Sequence, residues 1–186
     1  VNDFILLGGY KYQELKNFFK EKKIKNIKIT VLDTGYNTET AGRLLKAKKI
    51  IGNDRFYLTY GDSITDFDPI KAYKMLKNKR KTFLISVYKK KIPYGIIKQS
   101  KNYLSLYSEK KIELEINAGF YIFDKDIFKY ISSSNESLEK KIIPLILKNK
   151  KNKILTYECN FWHPMDDRFD RIKLSKILKK WLQKYF

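Results

Sequence analysis

Cysteine is nearly absent. Cys159 is the only one in 186 residues, so no internal disulfide can form. A reducing, cytoplasmic setting is the expectation. The thiol has no metal-ligand or nucleophile partner nearby in sequence and reads as a small buried hydrophobe. Long apolar runs are also missing. None approaches the ~20 residues needed to span a bilayer, and residues 4–7 are too short for a signal-peptide core. No membrane partner is expected. No stretch is rich in Gly, Pro or Ser, and no internal repeat occurs, so residues 1–186 are expected to form a single domain. With hydrophobic residues at 43%, the chain can bury a sizeable core.

Acid is scarce: 20 Asp and Glu stand against 40 Lys and Arg, a formal charge of +20. Arginine is scarce too, being only Arg43, Arg55, Arg80, Arg168 and Arg171. Arginine is the preferred reader of phosphates and base edges. The lysines are scattered through 20–28, 77–81, 89–91 and 148–153 and read as solvated helix ends and loops. Nucleic acid is therefore not expected as the main partner. The charge still favours anionic substrates, an effect that salt weakens.

What is present is most informative at residues 56–66, Phe-Tyr-Leu-Thr-Tyr-Gly-Asp-Ser-Ile-Thr-Asp. The aromatic and β-branched run reads as a buried strand. It stops at Gly61, and Asp62 follows. A carboxylate at the carboxyl end of a parallel strand lies where open α/β sheets bind ligands. Gly61 lets a ligand approach the backbone, and Asp62 can hold a hard divalent cation against a phosphate. The same residues also read as a strand and an Asx-type turn.

Strand and helix signals alternate through the first eighty residues: strands at 4–7, 27–32 and 56–60, helices at 13–23, 40–51 and 68–78. Asp68-Pro69 is an N-cap followed by Pro at the first helical position. This order predicts βα units on a parallel sheet. The second half is strand-rich, with strands at 82–88, 95–98, 103–107, 116–123 and 153–158. Helices are expected at 124–131, from 137 with a break near Pro144, and at 168–185. A mixed sheet follows.

Three further segments carry candidate chemistry. Asp33-Thr34-Gly35 and Thr40-Ala41-Gly42-Arg43 lie between a strand and a helix. Small residues and N–H groups there suit an anion, with Arg43 one turn in, although a capped helix with a surface arginine fits equally. In the second, Lys110 ends a strand and could pair with a phosphate, Asn117 offers an amide to hydroxyls, and Gly119 inside a strand implies close approach of a ligand or backbone. In the third, residues 161–167, aromatics and Pro164 form a rigid turn. There Asp167 is placed to cap the last helix and Asp166 is left to face inward. His163 is the only histidine and lacks companions for zinc.

Taken in order, Gly9-Tyr10-Lys11, Asp33-Thr34-Gly35, Thr40-Ala41-Gly42-Arg43, Tyr60-Gly61-Asp62, Glu109-Lys110, Asn117-Ala118-Gly119-Phe120 and Phe161-Trp162-His163-Pro164-Met165-Asp166 resemble the sugar-1-phosphate nucleotidyltransferases. The pattern is most similar to the glucose-1-phosphate cytidylyltransferases and spans nearly the whole chain. The resemblance implies a Rossmann-like α/β fold with a mixed, mostly parallel central sheet flanked by helices. It implies a sugar phosphate attacking the α-phosphate of a nucleotide triphosphate, CTP above all, with loss of pyrophosphate. It assigns Mg2+ to Asp62 and Asp166 and the sugar phosphate to Lys110. Gly9, Thr34, Gly35, Thr40, Ala41, Gly42, Arg43, Gly61, Asn117, Gly119 and Trp162 become substrate-binding positions.

The family's opening strand, its Gly-Gly-x-Gly-Thr-Arg loop and its Pro-Lys-Pro segment have no match here. The proline after Glu-Lys is replaced by Lys111, and Ser63 replaces a common glycine. The chain thus reads as N-terminally truncated or degenerate, lacking a central strand, and inactive or incomplete by itself. A missing strand leaves an edge open to self-association as a homo-oligomer. Two other readings stand beside this one: a basic nucleic-acid-binding module, and a non-catalytic paralogue that binds sugar nucleotides.

Overall fold

The alternation of periods along the chain is realised as alternating elements. In order they are β1 (Asp3–Gly8), α1 (Tyr12–Glu21), β2 (Lys28–Asp33), α2 (Thr40–Ile51), β3 (Phe56–Thr59), β4 (Ser63–Thr65), α3 (Pro69–Leu76) and β5 (Thr82–Ile92). There follow β6 (Ile96–Ser100), β7 (Tyr103–Ser108), β8 (Ile112–Phe123), a 3-10 turn (Lys125–Lys129), a π-helical turn (Leu138–Ile142), α4 (Ile143–Lys148), β9 (Lys153–Cys159), β10 (Trp162–Pro164) and α5 (Arg168–Tyr185). The computed structural model describes all residues except Lys23, Arg80, Lys81, Lys111 and Phe186, and no side chain from residue 180 onward. The Lys111 replacement and the end of the 77–81 lysine run lie outside the described residues.

The fold is α/β with mixed strand directions. The chain divides into two compact units: Val1–Phe56, Arg80–Thr82 and Phe123–Lys153 form the first; Tyr57–Lys79, Phe83–Ile122 and Ile154–Phe186 form the second. Among the described residues no helix is long and apolar enough to cross a membrane.

In the first unit β1 and β2 run parallel, joined through α1, from Asp3↔Lys28 to Gly8↔Asp33. Among the described residues the two make a sheet of their own. The apolar stripe of α2, Ala41, Leu44 and Ala47, is fully buried, as helical spacing requires. Phe56 stacks on Phe128 at 6.1 Å within the same core. Gly42 has no room for a side chain, since a Cβ would lie 2.1 Å from the Ser134 carbonyl oxygen.

Glu136 fixes that contact. Its side chain is 5% exposed. It accepts from Lys141 Nζ at 2.5 Å, Ser132 Oγ at 2.6 Å and Ser132 N at 2.8 Å. Its backbone oxygen accepts the N–H groups of Ala41 and Gly42. The π-helical turn also has a local cause. Pro144 has no N–H and its ring crowds the carbonyl four residues back, and the widened turn before it relieves both. Segment 124–131 was expected to be α-helical. It closes instead as a short 3-10 turn capped by Asp124, whose Oδ1 accepts from Asp126 N.

In the second unit the strand order is β3-β8-β5-β9, with β5 and β8 antiparallel. Ala72 and Leu76 of α3 pack on Leu84 and Ile122, flanked by Tyr57, Phe67, Leu155 and Tyr157. Asp68 caps α3, accepting from Ile70 N and Lys71 N. Two further pairs, β4–β10 and β6–β7, are antiparallel. The sequence reading had turns where β4 and β10 lie; three residues are too few to show a period.

Lys141 and the hydroxyl and amide of Ser132 hold the Glu136 carboxyl at about 2, against 4.5 unperturbed. A depressed carboxylate contributes stability that is complete above 4.5 and is lost as pH falls through 2. Thermal melts between pH 5 and 2 should therefore fall less steeply for Glu136→Gln, from a lower starting value.

Candidate active site

The central feature is the β4–β10 ladder, which brings the chain at Asp62 and at Asp166 to one end. In the β4–β10 ladder Trp162 lies opposite Thr65, His163 opposite Ile64 and Pro164 opposite Ser63. One residue further, Met165 N donates to Asp62 O at 2.6 Å. Both acids thus stand at the same end of one short ladder. The other end is held by Asp66, whose Oδ1 accepts from Asn160 N and Phe161 N, each at 3.1 Å. Thr65 Oγ1 adds a bond to Phe161 O at 2.7 Å.

Asp167 is occupied as the cap of α5, its Oδ1 accepting from Asp170 N at 2.8 Å. Asp166 uses its own N–H toward Asp170 Oδ2 at 3.2 Å. Neither the Asp62 nor the Asp166 carboxylate has a hydrogen-bond or ion-pair partner among the described residues, and both residues are exposed. Two unpaired carboxylates in a chain of charge +20 are a hard-oxygen donor set. This fits magnesium, which binds through one or two carboxylates with water and phosphate oxygens. No group of three or more His, Cys, Asp or Glu suited to a metal occurs among the described residues. His163 turns its Nδ1 to Pro164 O at 2.7 Å.

Asn117 and Gly119 form a bulge against this end of the unit. Pairing skips from Tyr121 to Asn117 on β8 while β5 advances only from Ile85 to Val87. Gly119 takes φ +80°. Asn117 holds the bulge, accepting from Gly119 N at 2.9 Å and donating to Tyr121 OH at 2.6 Å. Buried Ser86 accepts from Phe120 N. A Cβ on Gly119 would sit 3.4 Å from Tyr60 and 3.5 Å from Ser63, so the bulge lies directly beside the Gly61-Asp62 turn.

Trp162 packs against Tyr88 at 6.0 Å, with Lys90 Nζ 5.6 Å from its ring. Its Nε1 is the one buried side-chain nitrogen or oxygen without a partner among the described residues. Lys110 is exposed after β7, its N–H bonded to Ser108 Oγ; no contact links it to the acid pair. Sequence reasoning gave no role to Asp66, Tyr121 or Ser86. Only Asp66 left a signal, as the acid that closes the Ser-Ile-Thr-Asp run.

The first unit holds the remaining candidates. Thr34 is fully buried and donates through Oγ1 to Gly8 O at 2.6 Å. Arg43 Nη1 donates to Thr34 Oγ1 at 2.6 Å and to Gly35 O at 3.3 Å. Its guanidinium lies over Gly9, where a Cβ would come within 2.3 Å of Nη1. Lys46 Nζ reaches Thr34 O at 2.7 Å. Gly35 turns the loop at φ +83°. Thr40 Oγ1 accepts from Leu138 N, and the Ala41 and Gly42 N–H groups go to Glu136 O. The start of α2 therefore spends its donors on the chain, and Arg43 shapes the 34–36 loop from within.

An α/β scaffold with paired, unpartnered carboxylates beside a glycine bulge is suited to phosphate chemistry assisted by a hard cation. Comparison with known proteins places it further. The Nucleotidyl transferase family profile matches residues 1–164, and the chain belongs to that family. The resemblance read from its motifs is borne out at this level. It is 27% identical to a probable glucose-1-phosphate cytidylyltransferase of Bacillus subtilis, covering 95% of this chain and 78% of that one. It is 26% identical to a mannose-1-phosphate guanyltransferase of Hypocrea jecorina, covering 97% of this chain and 54% of the other. Among solved structures, HddC of Yersinia pseudotuberculosis superposes with a TM-score of 0.67 at 20% identity, covering 93% and 77% of the two chains. That likeness bears on the fold.

Gly119→Ala should lower stability by about 1–2 kcal/mol, the cost of a side chain in the left-handed region. Gly61 has open space within 4 Å, so Gly61→Ala should change stability by less than about 0.5 kcal/mol. Denaturant melts of the two variants check both.

Proposed function

We propose that the chain is a sugar-1-phosphate nucleotidyltransferase by design, joining a hexose 1-phosphate to a nucleotide triphosphate, with CTP as the first candidate. A phosphate oxygen of the sugar phosphate attacks the α-phosphorus, the bond to the β-phosphate breaks, and pyrophosphate leaves in line. The attacking group is already an anion, so positioning and charge stabilisation can supply most of the rate without a general base. The observation that supports this reading is the β4–β10 ladder, at one end of which Asp62 and the residue before Asp166 are hydrogen-bonded. Asp62 and Asp166 would hold Mg2+, which when bound neutralises phosphate charge and orients the oxygens.

In the second unit Asn117, Gly119 and Trp162 are read as the sugar side. The bulge brings backbone close to the Gly61 turn, and Trp162 Nε1 offers a free donor. Lys110 is read as the phosphate counter-charge. In the first unit Arg43 is a positioning residue that holds Thr34, Gly35 and Gly9 in a loop read as the nucleotide side, with Thr40, Ala41 and Gly42 supporting it. Related proteins named for cytidylyl and for guanylyl transfer both match this chain over similar lengths.

The 186 residues contain no Gly-Gly-x-Gly-Thr-Arg loop and no Pro-Lys-Pro segment, so these residues by themselves are expected to bind CTP weakly. Calorimetry showing tight, Mg2+-dependent CTP binding would contradict that.

The metal assignment is tested without turnover. Mn2+ binding followed by EPR should weaken about tenfold or more in Asp62→Asn and in Asp166→Asn alike. Asp167→Asn, at the helix cap, should bind Mn2+ as the parent does. Equal loss in all three variants, or none in the first two, would remove the shared site.

A further inference from the structure

Asp170 is a charged residue at a position where α5 calls for an apolar one. Residues 165–169 are all exposed, whereas Asp170 shares the inward stripe of α5 with Leu174 and Ile177, at i, i+4 and i+7. Its side chain is 25% exposed, and that of His163, beside it on β10, is 12% exposed. A carboxylate turned inward has to be satisfied by hydrogen bonds.

Its bonds are specific. Asp170 Oδ2 accepts from Asp166 N at 3.2 Å. Oδ1 lies 3.9 Å from His163 Nδ1, beyond hydrogen-bond reach, and that nitrogen is turned to Pro164 O. The plainest account is a capping box, in which the third residue of a helix reaches back to the N–H of the cap. Asp167 is the cap, its Oδ1 accepting from Asp170 N. The return bond misses the cap, however, and goes one residue further back, to Asp166. Capping alone does not account for it.

The consequence lies in what the bond fixes. Met165 N is held by Asp62 O at 2.6 Å, and the next N–H along the chain, that of Asp166, is held by Asp170. Two successive amides are thus tied, one to the Asp62 turn and one to α5. We propose that Asp170 is a positioning residue for Asp166, fixing the backbone from which the Asp166 carboxylate reaches a divalent cation. This rests on the reading of Asp62 and Asp166 as the cation pair. Groups that hold a ligating residue in place, without touching the cation, typically govern about 10–100-fold of its affinity.

Two variants of the 186-residue chain separate position from charge. Asp170→Asn removes the charge and keeps an oxygen for Asp166 N; Asp170→Ala removes both. Mn2+ affinity by EPR should fall about tenfold or more in Asp170→Ala and stay within about threefold of the parent in Asp170→Asn. Amide hydrogen exchange at Asp166, read by NMR on the metal-free chain, should quicken in Asp170→Ala alone. Should circular dichroism show Asp170→Ala unfolded, Asp170→Leu, which suits the apolar stripe, must show the same losses.

A merely structural role would lower the melting temperature of Asp170→Ala and leave its Mn2+ affinity at the parent's, which would overturn the proposal. Equal losses in Asp170→Asn and Asp170→Ala would overturn it too, since charge and not position would then be at work. So would unchanged exchange at Asp166. A different result marks failure of the reading beneath it: if the parent and Asp62→Asn bind Mn2+ alike, the pair is not the cation site, and the proposal falls with it.

Discussion

The ladder between β4 and β10 is the contact on which everything else about this molecule rests. Three residue pairs and one hydrogen bond from Met165 to Asp62 join segments about a hundred residues apart in sequence. So short a ladder is not self-sufficient. Asp66 closes it by accepting the N–H groups of Asn160 and Phe161, donors that would otherwise go unpaired at the strand end. The chemistry at one end of the ladder therefore depends on a structural carboxylate at the other. The same type of side chain serves opposite roles four residues apart: the Asp66 carboxylate is saturated, and that of Asp62 has no partner among the described residues.

A similar division runs through the glycines. Gly42 is needed because another stretch of backbone occupies the place of its side chain. Gly119 is needed because the chain turns left-handed there. Gly61 meets neither demand. In the first unit most of the polar atoms once open to a ligand reading are spent on the fold: Arg43 on the Thr34 loop, the α2 donors on Glu136. What these residues fix is the shape of their own loop.

Much of the fold was legible in the sequence. The run at 56–60 was dense enough in aromatic and β-branched residues to mark β3, and Asp68-Pro69 carried its own cap. The acid pair was legible only as two motifs in an ordered set, because nothing local to Asp62 says that Asp166 will lie beside it. That proximity is a property of strand pairing. The bulge at Asn117–Tyr121 was half legible: Gly119 signalled an irregularity, but the roles of Tyr121 and Ser86 depend on the register between β5 and β8. Segment 124–131 was misread because helical composition does not separate an α-helix from a 3-10 turn of five residues. The family resemblance lay in spacing and order, which is why it survives at 27% identity.

The proposal that organises this account is that Asp62 and Asp166, carried to one end of a three-residue ladder, would together hold one divalent cation. A crystal soaked in Mn2+ and measured at the manganese edge tests it most directly. One anomalous peak, about 2 Å from an oxygen of Asp62 and from an oxygen of Asp166, is the expected result. A peak on only one of the two, or manganese bound elsewhere while both carboxylates stay bare, would contradict it.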